Sequence, residues 1–178
     1  MTTVNKPATI GRINTLEEKF IYEIGAIYDA EHRFLEAQEQ MVQQATNDQL
    51  KSMLQTHIGQ TEEQIRNLEQ VFTAMAQAPK RINCEAAAGM VSDAQNLMKA
   101  IDQPEILDTA MAGAQAKVEQ FEITCYRSLI LGAEQMGNNP VMELLRQNLQ
   151  QEEQTAQTVE QCLPQLLQQM MLVTQPVR

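Results

Sequence analysis

Apolar residues recur at helical spacing in four long stretches and one shorter one. Phe20, Ile24, Ile27, Phe34, Leu35 and Met41 stay on one face of a 3.6-residue period. Thr15 followed by Glu18 has the form of a capping box, so the first helix is predicted over residues 15–45, where "ATND" interrupts the pattern. Asn47 or Asp48 can cap a second helix whose face carries Leu50, Leu54, His57, Gln64, Leu68, Val71 and Met75, and which ends before Pro79. "CEAAAGMVSDAQNLMKAI" predicts a weaker helix over 84–101, closed by the "DQPE" turn. Pro104 suits the first position of the next helix, which runs to a left-handed stop near Gly137. The last helix starts at Asn139 or Pro140 and continues through Leu145, Leu149, Val159 and Leu163. Pro164 should kink or end it, because its ring removes a ladder hydrogen bond and clashes with the preceding turn.

The two short connections make the first and last helix pairs antiparallel, and the long middle connection carries its own helix. One long crossover in a four-helix bundle is the connectivity of ferritin-like folds, so the predicted class is all-α with that bundle. It divides the chain into a tail over 1–14, a bundle over 15–163 and a tail over 164–178. Up-down-up-down bundles need no crossover, and cytokine bundles need two.

Polar residues interrupt the apolar faces at chosen places. Glu31 continues the row of Ile24 and Ile27, and His57 stands between Leu54 and Gln64, with Gln60 one turn on. Glu119 and Glu122 extend the row of Gln115, Val118 and Cys125, and Glu152 follows Leu149 by one turn. All four long helices thus offer a carboxylate or an imidazole at similar heights. Oxygen-rich sites with an imidazole suit Fe or Mn, and carboxylates can bridge two such ions. The bland alternative is a one-residue error of phase, which would turn Glu122 or Glu152 outward to pair with Lys117, Arg127 or Arg146 for little energy. A buried set is harder to dismiss, since each unpaired ion costs several kcal/mol and demands a cation, protons or basic partners. His32 points about 100° away from Glu31 and is expected at the surface.

Composition narrows the partners. A net charge of -10 over 178 residues, with scattered Lys and Arg, disfavours nucleic acid and anionic membranes and favours cations. No apolar run approaches the roughly 18–20 residues that cross a bilayer. Three widely spaced cysteines, Cys84, Cys125 and Cys162, suggest reduced packing residues in a cytoplasmic protein. Leu, Met and Ala in the crossover and in "LPQLLQQMMLVT" exceed what a small bundle buries, which predicts a homodimer.

Four stretches resemble the YciE/YciF-type family of bacterial stress proteins, a branch of the ferritin-like superfamily: "YEIGAIYDAEHRFLEA", "CEAAAGMVSDAQNL", "DQPEILDTAMAGAQAKVEQFEI" and "LLRQNLQQEEQTA". The resemblance implies a dimeric bundle with a di-iron or similar di-metal site and a stress-linked role whose reaction the family does not define; together with the inward carboxylates it leads to the expectation of a di-metal protein handling iron, O₂ or peroxide. Carried over by position, Glu31, His57, Glu119, Glu122 and Glu152 are the implied metal ligands; Tyr126, one turn beyond Glu122, is placed by its spacing to act as a supporting donor. The chain departs from the family pattern at Gln60, where an acidic residue is common, at Gln120, where histidine is, and at Ala156, where aspartate is. Thr155 also replaces the histidine of a second Glu-x-x-His motif. Fe or Mn is therefore expected as two ions, or as one if the amide at Gln60 leaves a position empty. A metal-free scaffold acting through association is the competing expectation.

Overall fold

A computed structural model describes residues 12–174. Five helices follow one another: α1 Leu16–Gln44, α2 Asp48–Ala74, α3 Glu85–Lys99, α4 Pro104–Gln135 and α5 Asn139–Thr174. There is no strand among the described residues. Helices α1, α2, α5 and α4 pack in that cyclic order to form the bundle, and α3 lies across α1 and α4. The architecture is the predicted ferritin-like bundle with a helical crossover between its second and third long helices. The core has two apolar zones. Phe20, Ile24, Phe34, Leu68, Val71 and Leu129 belong to one, and Leu50, Leu54, Met111, Val159 and Leu166 to the other. The polar cluster described below lies along the same buried faces.

Local chemistry explains most of the helix ends. The capping box at Thr15 forms in both directions, with Glu18 N–H donating to Thr15 Oγ1 and Thr15 N–H to Glu18 Oε2, both at 3.1 Å. Asn47 caps α2 by accepting from Leu50 N–H at 2.9 Å. Gly137, at φ 66°, lets the Asn138 and Gly137 amides return to the carbonyls of Ala133 and Glu134, which closes α4.

Two ends differ from the sequence expectation. Helix α2 stops at Ala74, well short of Pro79, because Ala76 takes φ 54° and the amides of Gln77 and Ala76 cap Phe72 and Thr73. This is the same closure as at Gly137, made with a residue whose Cβ disfavours it. Ala76→Gly is therefore expected to stabilise the fold by about 0.5–1 kcal/mol, read as a raised urea midpoint at constant m; an unchanged or lower midpoint would show that no strain resides there. Helix α5 does not end at Pro164 but carries it internally and runs to Thr174. Cys162 and Leu166 are both buried, so packing on either side of the proline holds the segment against the bundle despite the lost hydrogen bond. The segment 164–174, expected as a tail, is thus the end of α5. The tail expected over 1–14 falls mostly outside the described residues, as do residues 175–178.

Two buried aspartates tie the connections down. Asp29 of α1 accepts from Cys84 N–H at 2.9 Å, the amide that opens α3, and from Arg33 Nε and Arg81 Nε at 2.6 and 2.8 Å. Burial pushes its carboxyl upward, but the Cys84 amide and the two guanidiniums outweigh this and hold it below the usual range. Beside it, Gly25 lets the incoming loop touch α1: Ile82 N–H donates to Gly25 O at 2.9 Å, and a Cβ there would meet Ile82 Cγ1 at 2.7 Å. Asp108 of α4 does the corresponding work at the α1–α2 turn, accepting from the amides of Thr46 and Asn47 and from the Thr46 hydroxyl.

Candidate metal centre

The five residues singled out from sequence, Glu31, His57, Glu119, Glu122 and Glu152, are all buried in the bundle interior. One ligand atom from each of His57, Glu119, Glu122 and Glu152 lies within 4.8 Å of the others. Glu31 stands outside that tightest group, but its charge bears on Glu122 and Glu152, and that of Glu119 bears on it. Glu119 and Glu152, both in the tight group, act on each other in the same way. Carboxyls gathered this closely are favourable only with a proton or a cation between them.

No ion pair from the described residues brings a Lys or Arg to any of the four carboxyls. Arg127 pairs instead with exposed Glu153 at 2.6 Å, so the outward-facing alternative for Glu122 and Glu152 is not what the chain adopts. His57 Nε2 lies 3.1 Å from Glu119 Oε1, but off the line of a hydrogen bond. Glu119 accepts its one aligned bond from Gln115 Nε2 at 2.6 Å. Left without hydrogen-bond partners are His57 Nε2, one oxygen each of Glu31, Glu119 and Glu122, and both oxygens of Glu152.

Burial dominates the acid–base behaviour of the cluster. It pushes Glu31 up to about 7 against the opposing pull of the Tyr126 hydroxyl and His57. Glu122 and Glu152 are raised well above the ordinary carboxyl range, first by burial and then by neighbouring carboxylates. Glu119 moves the other way: burial is the largest influence and pushes it up, but the His57 charge together with close polar contacts to His57, Glu152 and Gln115 holds it below the usual range, and His57, pushed down by burial, is raised by Glu119 with help from Gln60 and Glu31. Without metal, the cluster thus holds protons at neutral pH.

Several supporting groups escaped the sequence reading. Tyr126, expected as a supporting donor, does play that part: its hydroxyl donates to Glu31 of α1, a partner that the sequence did not specify. Asn148 Nδ2 donates to that hydroxyl oxygen at 3.0 Å and Asn67 Nδ2 to Asn148 Oδ1 at 2.8 Å, so the tyrosine proton is directed at Glu31. Behind His57, the Thr155 hydroxyl donates to Gln60 Oε1 at 3.1 Å, and Nδ1 stands 3.4 Å from both Gln60 Oε1 and Thr155 Oγ1. Two oxygens on that side favour a proton on Nδ1, which leaves Nε2 as the nitrogen that faces the carboxylates. Gln60 and Thr155 therefore orient the imidazole. Asn148 and Asn67 could have been suspected as amides on apolar faces, but nothing local in sequence pairs them. His32, expected at the surface, is half-buried and stacks edge-on against Tyr28.

The sequence matches, over residues 15–172, the family described as Domain of unknown function (DUF892). The chain belongs to this family. Protein YciF of Escherichia coli (strain K12) is 29% identical over 144 residues, which span 80% of this chain and 87% of YciF. The crystal structure of the E. coli stress protein YciF superposes with a TM-score of 0.83 at 27% identity, over 88% of this chain and 99% of that one. YcfI of Rhodopseudomonas palustris, described as a putative structural protein, gives 0.81 at 32% identity, over 83% and 94% of the two chains. A Xanthomonas campestris protein at 16% identity shares the fold with a TM-score of 0.74, over 91% and 100%. The chain is thus a YciF-like member of the DUF892 family with a helical-bundle fold. No described helix is long and apolar enough to cross a membrane.

Proposed function

We propose that Glu31, His57, Glu119, Glu122 and Glu152 hold Fe or Mn, and that the protein handles iron, O₂ or peroxide in the cytoplasm under stress. The observation that carries this reading is the set of buried, unpartnered ligand atoms on an imidazole and four carboxyls with no basic side chain to balance them. Four ionised carboxylates and a neutral imidazole match the charge of two divalent cations, which argues for a pair of ions over a single one. The donor set, oxygen-rich with one imidazole, suits Fe or Mn better than thiolate-loving metals. When bound, such ions supply one-electron redox chemistry. The chain's own contribution is to orient the imidazole through Gln60 and Thr155, to direct the Tyr126 proton onto Glu31, and to exclude bulk water with the surrounding apolar side chains. The stress role is supported by the similarity to YciF, and a cytoplasmic setting by three free thiols.

The exposed Leu167, Met171, Leu172 and Val173 along the end of α5 support association with a second copy as a homodimer. A metal-free scaffold is the second reading, favoured by those same side chains and by the description of the R. palustris relative. One preparation distinguishes the two. Elemental analysis after expression in iron- and manganese-replete medium, with Mn²⁺ titration of the stripped protein, is expected to give up to two ions per chain, and light scattering of the same sample the mass of a dimer. No retained metal and no saturable Mn²⁺ binding would reject the metal centre; a monomer mass at micromolar concentration would reject the dimer.

A further inference from the structure

Gln64 lies in the same row of α2 that supplies His57. Leu54, His57, Thr61, Gln64, Leu68 and Val71 follow one another at spacings of three and four and are all buried, so the row faces the interior of the bundle. Gln64 is 0% exposed, and neither its Oε1 nor its Nε2 has a hydrogen-bond partner. Among the described residues it is the one amide side chain with both ends buried and unpartnered. Gln38 and Gln151 each lack a partner at one end only, since Gln38 Oε1 accepts from the Thr61 hydroxyl and Gln151 Nε2 donates to Glu63.

The neighbours of Gln64 place it beside the carboxyl cluster. Asn148 Nδ2 donates to the Gln64 carbonyl oxygen at 3.2 Å and to the Tyr126 hydroxyl at 3.0 Å, and that hydroxyl donates to Glu31. Gln64, Asn148, Tyr126 and Glu31 thus stand at one level of the four long helices. The other three are joined through their side chains, whereas Gln64 takes part through its backbone. Glu152 follows Asn148 by one turn on α5, which runs antiparallel to α2, as the pairs Gln64–Asn148 and His57–Thr155 show. Side chains on a helix lean toward its N-terminus, so the Gln64 amide reaches back toward the level of His57 and the Glu152 carboxyl reaches toward the level of Gln64. Both oxygens of Glu152 and one of Glu31 are likewise unpartnered. A buried amide bonded at neither end is unfavourable. A cation can satisfy it together with the carboxyls, because amide and carboxylate oxygens are ligands of the same hard kind.

We propose that Gln64 is a further residue of the metal centre: its amide oxygen takes a position on a bound ion, and its Nε2 donates to an unpartnered carboxylate oxygen of Glu31 or Glu152. The inference rests on the metal reading and deepens it. A neutral donor adds a ligand without disturbing the match of four carboxylates to two divalent cations.

The test compares the full-length wild type with Gln64→Leu, which is close in volume and has no side-chain donor or acceptor, and with Gln64→Glu, which keeps an oxygen. Mn²⁺ titrations of the stripped proteins are expected to show Gln64→Leu binding about tenfold or more weakly than wild type, and Gln64→Glu at least as tightly. The visible spectrum of bound Co²⁺, which reports the number and kind of its ligands, should shift in Gln64→Leu. The melting temperature of stripped Gln64→Leu should equal or exceed that of wild type, because no hydrogen bond is lost. A wild type that binds no Mn²⁺ would overturn the metal reading and this inference together. A wild type that binds Mn²⁺ beside a Gln64→Leu variant of equal affinity, or of unchanged Co²⁺ spectrum, would overturn this inference alone. So would a Gln64→Glu variant as weak as Gln64→Leu, or a stripped Gln64→Leu that melts below wild type, which would assign the amide to hydrogen bonding within the metal-free protein.

Discussion

Stripped of metal, the protein is expected to grow less stable as pH rises from about 5 to 8, and Glu122→Gln is expected to recover much of the loss. Carboxyls whose folded pKa is raised bind protons in the native state that the unfolded chain has already released, so stability falls as pH climbs from the unfolded value near 4.3 through the folded one. Glu31, pushed to about 7, puts most of its effect in that window, and the raised Glu122 and Glu152 extend it upward. His57 acts in the same sense, because its raised pKa gives stability that is present below about 6.5 and lost as pH rises through the folded value. Glu119, lowered, works oppositely, but only as pH falls below the unfolded carboxyl value. Each extra native proton is worth about 1.4 kcal/mol per pH unit, so Glu31 alone accounts for a loss of about 2 kcal/mol between pH 5 and 7, and Glu122 and Glu152 add to it. An amide at position 122 cannot ionise, so it removes one negative charge from the buried cluster while nearly preserving shape. Glu122→Gln should therefore stabilise the stripped protein at pH 8 by on the order of 1–2 kcal/mol. Metal reverses the order. Ligands must shed protons to bind, so the loaded wild type should gain stability with pH, and the variant should gain less from the same Mn²⁺, by about 1.4 kcal/mol for each tenfold loss of affinity. Melting curves of both proteins at pH 5 and 8, with chelator and with metal, decide the matter; a stripped wild type that is most stable at pH 8, or a variant whose response to metal is unchanged, would remove Glu122 from the centre.

Asp29→Ala is expected to cost about 3 kcal/mol. Its carboxylate is buried, whereas the arginines beside it are partly solvated, at 31% and 41% side-chain exposure for Arg33 and Arg81. The two ion pairs therefore contribute modestly. The larger part comes from the Cys84 amide, which opens α3 and would lose its charged acceptor. Asp29→Asn keeps an oxygen for that amide and should lose only about half as much. Urea unfolding of the three proteins reads the difference directly, and native-state proteolysis should locate the first cut in residues 80–84 of the alanine variant. A loss under 1 kcal/mol for Asp29→Ala would show that the crossover is held by its apolar contacts instead.

The parts of this fold that sequence reveals are those written within one or two helical turns. Thr15 and Glu18, or Gly137 after the apolar row of α4, state their role through neighbours three or four positions away. Glu31, His57, Glu119, Glu122 and Glu152 were legible because each breaks an apolar face at a height shared with the others. What escaped depends on partners far along the chain. Asp29 needs Arg81 and Cys84, Asp108 needs Thr46, and Tyr126 needs Glu31, 95 positions away. Ala76 was missed because nothing in its own chemistry favours φ 54°; the end of α2 imposes it. Pro164 misled in the opposite direction, since burial of Cys162 and Leu166 outweighs one lost helical bond.

The cluster has a consequence for biogenesis. Its donors come from α1, α2, α4 and α5, so neither antiparallel hairpin, α1 with α2 or α4 with α5, contains the whole set. Each hairpin can zip up from local contacts soon after it leaves the ribosome, but Glu152 is made long after Glu31 and His57. On the proposed metal reading, loading is a post-translational event that follows the docking of the second hairpin on the first. On that reading, selection among metals is deferred to the moment when the last helix closes.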